Sequence, residues 1–120
     1  LTGDGGANVL RGNHGTDGLN GGAGTDTADY GYLSAATGVT ATVNSTGTVF
    51  VTVASGDTDT LTGIENLTGG AGNDALTGDS VANVLTGGDG VDTLTGLGGD
   101  DTLSGDTADS FFGGEGNDLI

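Results

Sequence analysis

A nine-residue repeat is the feature that most constrains how this chain can fold. It is clearest in "LTGGDGVDTLTGLGGDDTLSGD" (85–106), where a leucine returns at every ninth position and the intervals hold Gly, Asp and Thr. The frames, written G-G-x-G-x-D-x-U-x with U apolar, are "GNHGTDGLN" (12–20), "GGAGTDTAD" (21–29), "GGAGNDALT" (69–77), "GDSVANVLT" (78–86), "GGDGVDTLT" (87–95) and "GLGGDDTLS" (96–104). A degenerate frame occupies 3–11, and shortened frames occupy 105–112 and 113–120. A fixed short period favours a stacked repeat architecture.

Each frame divides into a turn and a short strand. Glycines at positions 1, 2 and 4 of the frame permit positive φ and let carbonyl oxygens converge where a Cβ would intrude. Position 8 then points inward from a pleated strand, whereas positions 7 and 9 point outward. The predicted inward ladder consists of Leu10, Leu19, Ala28, Leu67, Leu76, Leu85, Leu94, Leu103, Phe111 and Ile120.

The composition indicates that such a thin ladder needs help to fold. Only 32% of the 120 residues are hydrophobic, and 17 acidic residues face a single cation, Arg11, which gives a net charge of −16. This balance is typical of disordered chains, because little apolar surface is available to offset about 1–2 kcal/mol of backbone entropy per residue. No cysteine is present, so disulfides and thiolate metal sites cannot supply the difference. We therefore expect bound metal ions to supply it.

The same charge excludes two classes of partner. A strongly negative chain repels phosphate backbones and anionic lipid headgroups, so we expect neither nucleic acid binding nor membrane insertion. No apolar run is long enough to span a bilayer. Because the sequence does not begin with Met, we expect it to be an excised piece of a larger protein.

The sequence predicts no enzymatic activity. His14 is the only imidazole and falls in a turn, and the chain has neither Cys nor Lys to act as a nucleophile. Carboxylate pairs of the kind used by glycosidases are abundant. Their return every nine residues, however, suits a row of ions better than one active site.

Position 6 of the frames supplies the candidate metal ligands. They are Asp17, Asp26, Asp74, Asp92, Asp101, Asp109 and Asp118, with Asn8 and Asn83 at the same position of two weaker frames. Ca²⁺ takes about six to eight oxygen ligands, and carboxylates combined with turn carbonyls form such a set. Solvated Gly-Asp turns are the simpler alternative, but ordinary turns do not keep a nine-residue phase with position 8 apolar.

These frames resemble the calcium-binding nonapeptide repeats of the RTX (repeats-in-toxin, haemolysin-type) family. The resemblance is close over 3–29 and 69–120 and loose between them. It implies an all-β fold, a parallel β-roll or β-helix solenoid with several Ca²⁺ ions bound between turns, here interrupted by a β-rich insert. Each ion would take one position-6 side chain from each of two stacked turns, together with backbone carbonyls.

Because two frames make one coil, frames two apart stack, and the resemblance then implies which ligands share an ion. The implied pairs are Asp74 with Asp92, Asp92 with Asp109, Asp101 with Asp118, Asn83 with Asp101, and Asn8 with Asp26. The two pairs that contain Asn should bind more weakly, since Asn carries no charge. The remaining ligands implied in the turns are Gly69, Ala71, Gly72, Gly87, Asp89, Gly90, Gly96, Gly98, Gly99, Gly114 and Gly116.

Residues 30–68 interrupt the repeat. "VTATV" (39–43) and "VFVTV" (49–53) predict strands, and "NSTG" (44–47) predicts a hairpin-type turn or a solenoid corner. "DTDTLTGIENLTGG" (57–70) resumes the spacing, which makes Asp59 and Glu65 candidate ligands in the coil below Asp74 and Asn83.

We expect one solenoid domain made of N-terminal repeats (1–29), an insert (30–68) that continues the stack, and C-terminal repeats (69–120). A separate insert domain is the alternative, although no linker composition marks a boundary. Tyr30, Tyr32 and Phe50 are expected to cover the side of the core, and an aromatic platform for a ligand is the alternative.

For function, the resemblance implies a structural or secretion-associated calcium-binding module of a larger secreted or cell-surface protein. Its location would be extracellular, with export by a type I system. We expect a monomeric module that folds when Ca²⁺ binds. The alternative is a surface binding module for a polysaccharide or a partner protein, adhesin-like or associated with an alginate epimerase, and neighbouring domains of the parent protein are further partners.

Overall fold

The computed structural model describes all 120 residues, and every regular element in it is a β-strand. The strands are β1 (Val9–Leu10), β2 (Gly18–Asn20), β3 (Thr27–Asp29), β4 (Val39–Thr42), β5 (Thr48–Val53), β6 (Thr58–Thr62), β7 (Asn66–Thr68), β8 (Ala75–Thr77), β9 (Val84–Thr86), β10 (Thr93–Gly98), β11 (Thr102–Ser104) and β12 (Ser110–Glu115). Half of them are three residues long, as expected where each frame devotes its last three positions to a strand. No helix that could cross a membrane is present.

Two sheets enclose one core. The narrow sheet has the strand order β1-β3-β7-β9-β11, and the wide sheet has the order β12-β10-β8-β4-β5-β6-β2. The repeat strands alternate between the sheets, and equivalent residues two frames apart pair in parallel, as Leu67 does with Leu85 and Leu85 with Leu103. The predicted all-β parallel β-roll is therefore confirmed.

Position 8 of the frames forms the core ladder. Leu19, Ala28, Leu67, Leu76, Leu85, Leu94 and Leu103 are all buried, and Leu10 and Phe111 pack against them in partly buried positions. The prediction is wrong for Ile120, which is 65% exposed. Ile120 follows an isolated bridge between Thr102 and Leu119, and no strand holds its side chain against the ladder.

The insert adds an antiparallel hairpin to the wide sheet. β4 pairs in parallel with β8 and antiparallel with β5, and β5 pairs antiparallel with β6, which returns to parallel pairing with β2. The two strands predicted here are confirmed, and the turn between them is a hairpin turn in which Gly47 N donates to Asn44 O at 3.1 Å. β4 and β5 have no counterpart in the narrow sheet, so the core must widen beside them.

Three aromatic side chains near this wider part of the core differ in their exposure. Tyr30 is 1% exposed and lies inside the core with the apolar residues of β4 and β5. Tyr32 packs against the same core and is partly buried. Phe50 is 71% exposed, because Val49 and Val51 take the inward positions of β5. The prediction that all three cover the core is wrong for Phe50, and the burial of Tyr30 rules it out as a ligand platform.

Candidate metal sites between stacked turns

The turns stack in two columns, one on each side of the sheets. The first column contains the turns 12–17, 69–74, 87–92 and 105–109, which lead from the narrow to the wide sheet. The second contains the turns 3–8, 21–26, 78–83, 96–101 and 113–118, which lead back. Each column therefore repeats position 6 of the frame once per coil.

One hydrogen bond recurs between stacked turns: the backbone N–H at position 6 donates to the position-6 side-chain oxygen of the next turn. In the first column Asp74 N donates to Asp92 Oδ1 at 2.8 Å, and Asp92 N donates to Asp109 Oδ1 at 2.9 Å. In the second column the same bond joins Asn8 to Asp26 (2.8 Å), Asn83 to Asp101 (2.8 Å) and Asp101 to Asp118 (3.0 Å). All five pairs implied by the sequence resemblance are thus stacked neighbours.

Glu65 takes the place of a position-6 residue in the second column. Its Oε2 accepts a hydrogen bond from Asp26 N at 2.8 Å, and its carbonyl oxygen accepts one from Asn83 Nδ2 at 2.7 Å. Glu65 therefore lies between Asp26 and Asn83, below Asn83 as the sequence predicts.

Asp59 has a different neighbour from the one predicted. Its Oδ1 accepts from Asp17 N at 2.8 Å and its Oδ2 accepts from the hydroxyl of Tyr30 at 3.0 Å. The antiparallel strands β4 and β5 separate it from Asp74, whose Oδ1 instead accepts from Val39 N at 2.7 Å. The predicted position directly below Asp74 is wrong because the hairpin intervenes.

The first glycine of several frames leaves space for two oxygens from different turns. A Cβ added at Gly69 would lie 2.1 Å from Asp74 Oδ2 and 2.5 Å from Gly87 O. At Gly96 the corresponding distances are 2.1 Å to Asp101 Oδ2 and 2.5 Å to Gly113 O. A carboxylate and a carbonyl of the next turn thus converge where any other residue would place a side chain. Sequence reasoning missed Gly113, although it opens the frame 113–120 just as Gly96 opens 96–104.

The second and fourth glycines let the backbones of stacked turns meet. Gly88 and Gly90 have φ of 105° and 129°, and a Cβ on them would lie 2.1 Å from Gly70 O and 2.2 Å from Gly72 O. Left-handed φ favours glycine, and this close approach leaves no room for a Cβ. Gly70 is a second residue that sequence reasoning missed, since only Gly72 was implied.

The other residues implied as turn ligands lie in the same inter-turn layers. Gly114 and Gly116 repeat the geometry above against Leu97 O (2.1 Å from an added Cβ) and Gly99 O (1.9 Å). Ala71, Asp89 and Gly98 donate their backbone N–H groups to carbonyls of the turn below, at Leu33, Gly70 and Asp79.

Four buried carboxylate oxygens have no hydrogen-bond donor. They are the Oδ2 atoms of Asp17, Asp26, Asp92 and Asp101. A buried anionic oxygen without a partner is costly. The single cation of the chain does not serve them, because Arg11 forms its ion pair with Asp29.

Burial and mutual repulsion disfavour the ionised form of these carboxyl groups. Burial raises the pKa of Asp92 above the ordinary value, and the nearby carboxylates of Asp74 and Asp109 raise it further. Burial likewise raises the pKa of Asp101, and the carboxylate of Asp118 makes the largest acidic contribution. A bound cation would reverse both effects.

The donor set fits Ca²⁺. Carboxylate and carbonyl oxygens are its usual ligands, and neither an imidazole nor a thiolate is among the side chains that meet between the stacked turns. Nowhere do three or more His, Asp or Glu side chains form a cluster able to hold an ion. A site here would therefore draw on one or two carboxylates and complete its coordination with turn carbonyls and water.

Comparison with known families agrees with this geometry. The model of the RTX calcium-binding nonapeptide repeat matches residues 1–28, 59–80, 77–109 and 86–120. The chain belongs to this family. It is thus a calcium-binding RTX β-roll module, and the predicted family is confirmed. Residues 29–58, which fall outside the matches, contain β4 and β5. No curated protein matches the RTX chain.

Proposed function

We propose that this RTX chain is a calcium-operated folding module, largely unfolded at low Ca²⁺ and folded where Ca²⁺ is plentiful. The observation that carries the proposal is the set of four buried carboxylate oxygens that lack a donor. The folded chain without ions must bury these charges unpaired, whereas the unfolded chain hydrates them. Bound Ca²⁺ removes this penalty only in the folded state, so binding free energy becomes folding free energy.

The proposed ion sites lie between stacked position-6 residues. In the first column they are bounded by Asp74 and Asp92 and by Asp92 and Asp109, and in the second column by Asp101 and Asp118. Pairs that contain Asn8 or Asn83 would bind more weakly. Asp17 with Asp59, and Asp26 with Glu65, extend the same arrangement into the insert.

We further propose that residues 1–29, 30–68 and 69–120 form one folding unit. The strands of the insert occupy the middle of the wide sheet, between β2 and β8, which supports this assignment. The module would be monomeric and non-enzymatic.

A secreted or cell-surface location suits a calcium-operated module. Affinities of about 10⁻⁴–10⁻³ M are typical of extracellular calcium modules, and cytosolic Ca²⁺ is far below that range. The chain would stay unfolded before export and fold afterwards, as expected of a part of a larger protein exported by a type I system.

Far-UV circular dichroism of the chain in calcium-depleted buffer, followed by titration with CaCl₂, tests the proposal. We expect a disordered spectrum that converts to a β spectrum at millimolar Ca²⁺. Mg²⁺ at the same concentration is the control and should not replace Ca²⁺, because it requires near-ideal octahedral geometry and dehydrates reluctantly. A β spectrum that persists without divalent cations would refute the proposal.

A second function, binding of a polysaccharide or a partner protein at an outer surface, is favoured by one observation. The outward face of the wide sheet carries two exposed phenylalanines, Phe50 at 71% and Phe112 at 57% exposure.

A further inference from the structure

The outer face of the wide sheet is almost free of charge, although the chain contains 17 acidic residues. Its seven strands contain two of these, Asp59 and Glu115. Asp59 points inward and is 1% exposed, and Glu115 occupies the last position of the edge strand β12. The remaining acidic residues lie in the turns or on the narrow sheet, so they surround this face without occupying it.

Strand register arranges the outward residues of this face into two rows that run across the strands. The antiparallel register that pairs Thr40 with Thr52 places Thr42 beside Phe50. The first row then continues through the parallel pairs to Phe112, in the order Phe50, Thr42, Thr77, Thr95 and Phe112. The second row reads Thr58, Thr52, Thr40, Ala75, Thr93 and Ser110. Three threonine hydroxyls thus lie between two exposed aromatic rings.

The narrow sheet offers an internal comparison. Its outward positions hold no aromatic residue, and at one end they carry the ion pair between Arg11 and Asp29. Threonine is a good strand former at exposed positions and by itself needs no explanation. Phenylalanine is also a strand former, but two exposed rings in one row leave apolar surface in water that the core does not use.

We propose that this face binds an extended, uncharged polysaccharide chain. The sugar chain lies along the row from Phe50 to Phe112, with the two rings stacked on sugar rings and the threonine hydroxyls hydrogen-bonded to sugar hydroxyls. This inference rests on the proposed function, because the face exists only in the folded module, and it names the ligand class of the second function.

Three features of the row match such a ligand. Neighbouring strands are about 4.8 Å apart, close to the advance per sugar of an extended hexose chain, so successive threonines meet successive sugars. The four strand spacings between Phe50 and Phe112 span about 19 Å by the same measure. Aromatic rings supply large contact area at low entropic cost, and hydroxyls supply adaptable hydrogen bonds.

The negative charge of the chain disfavours the binding of anionic polysaccharides. The chain without ions has a net charge of −16, and the few Ca²⁺ ions proposed above, at two charges each, leave it negative. The acidic turns that border the face therefore repel a polyuronate such as alginate. An ordered water lattice is also disfavoured, because two phenylalanine rings project beyond the threonine methyl groups and interrupt a flat array. The face is therefore suited to a neutral polymer.

Affinity electrophoresis in gels containing hydroxyethylcellulose or its anionic counterpart carboxymethylcellulose, together with pull-down on microcrystalline cellulose, tests the proposal in saturating Ca²⁺. The wild-type chain should be retarded by the neutral polymer and retained on cellulose. Phe50→Ala with Phe112→Ala should weaken retention at least tenfold. Val84→Ala is the matched control, since Val84 is 44% exposed on the narrow sheet, and it should leave retention unchanged.

Circular dichroism of each variant separates this test from the calcium proposal. Both phenylalanines are exposed, so the double variant should keep the wild-type calcium midpoint. A folded chain that ignores the neutral polymers, or a double variant that binds as well as wild type, would overturn the inference and leave calcium-dependent folding intact. Stronger retardation by carboxymethylcellulose than by hydroxyethylcellulose, or thermal hysteresis in ice without polysaccharide binding, would also overturn it.

Discussion

Replacing Asp92 with Asn should weaken calcium-dependent folding more than the same change at Asp118. Asp92 lies inside its column: its Oδ1 accepts from Asp74 N at 2.8 Å and its own N–H donates to Asp109 Oδ1 at 2.9 Å. Asp118 lies at the end of the other column and makes this contact only with Asp101, at 3.0 Å. Asp92 therefore borders two proposed ion sites, and Asp118 borders one.

The expected magnitude follows from ligand linkage. A site with a Kd of about 1 mM, typical of extracellular calcium modules, adds about 1.4 kcal/mol to the free energy of unfolding at about 10 mM Ca²⁺. Losing two sites at Asp92→Asn then costs about 2.8 kcal/mol, and losing one at Asp118→Asn costs about 1.4 kcal/mol. The amide keeps an acceptor oxygen, as at Asn83, where Oδ1 accepts from Asp79 N at 2.8 Å. The loss therefore reports charge and ion binding rather than a broken hydrogen bond.

Urea unfolding in 10 mM CaCl₂, followed by circular dichroism, measures both free energies. The calcium midpoint of folding provides a second readout for a variant that is too unstable for urea titration. Equal losses for Asp92→Asn and Asp118→Asn would refute the stacking of ion sites along the column. If Asp92→Asn lowered the free energy of unfolding by the same amount in Mg²⁺ as in Ca²⁺, the assignment of the sites to calcium would be refuted.

Two further predictions concern the core and pH. Leu94 is fully buried in the ladder, so Leu94→Ala should lower the free energy of unfolding by about 2–5 kcal/mol. Val91 is exposed, and Val91→Ala should change this free energy by less than about 0.5 kcal/mol. Similar losses for the two variants in urea titration would contradict the inward position of Leu94. Burial raises the pKa of Asp74, Asp92 and Asp101, so the folded state without calcium should gain stability as pH falls through these raised values toward about 3.9, the ordinary Asp pKa. With calcium bound, protons compete for the same carboxylates, so acidification should raise the calcium midpoint. Circular dichroism at pH 4.5 and 7.5 measures both effects. The reasoning would be contradicted if acidification changed the stability of the folded state in the same direction with and without calcium.

The repeats were predictable from sequence because the nine-residue period determines both which turns stack and which residues point inward. Once two frames make a coil, the pairing of Asp74 with Asp92 and the inward position of Leu94 follow without further information. The hydrogen bond from each position-6 N–H to the side chain of the next turn also follows, since it repeats with the stacking of the turns. Gly70 and Gly113 were missed only because their frames were not used in full.

The insert was less predictable because its strands leave the parallel coil. Sequence spacing places Asp59 one coil below Asp74, but this assumes that the chain keeps winding in one direction. The hairpin reverses that direction twice, and nothing local to Asp59 records the reversal. Phe50 is a different case, because the alternation of Val49, Val51 and Val53 already carries the signal that it points outward.

The hairpin also changes what stabilises the stack. Within the repeats, each frame contributes one inward apolar residue and places its position-6 side chain against the next turn, where the proposed ions would lie. At the hairpin the carboxylate column breaks: Val39 N replaces an acidic residue as the neighbour of Asp74, and the Tyr30 hydroxyl satisfies Asp59. The same region holds more than half of the buried apolar residues, and Tyr30, Val51 and Ile64 are almost completely buried. Apolar burial therefore stabilises the level where the column of proposed ion sites is interrupted, which explains how one core can pass through a segment that lacks the repeat.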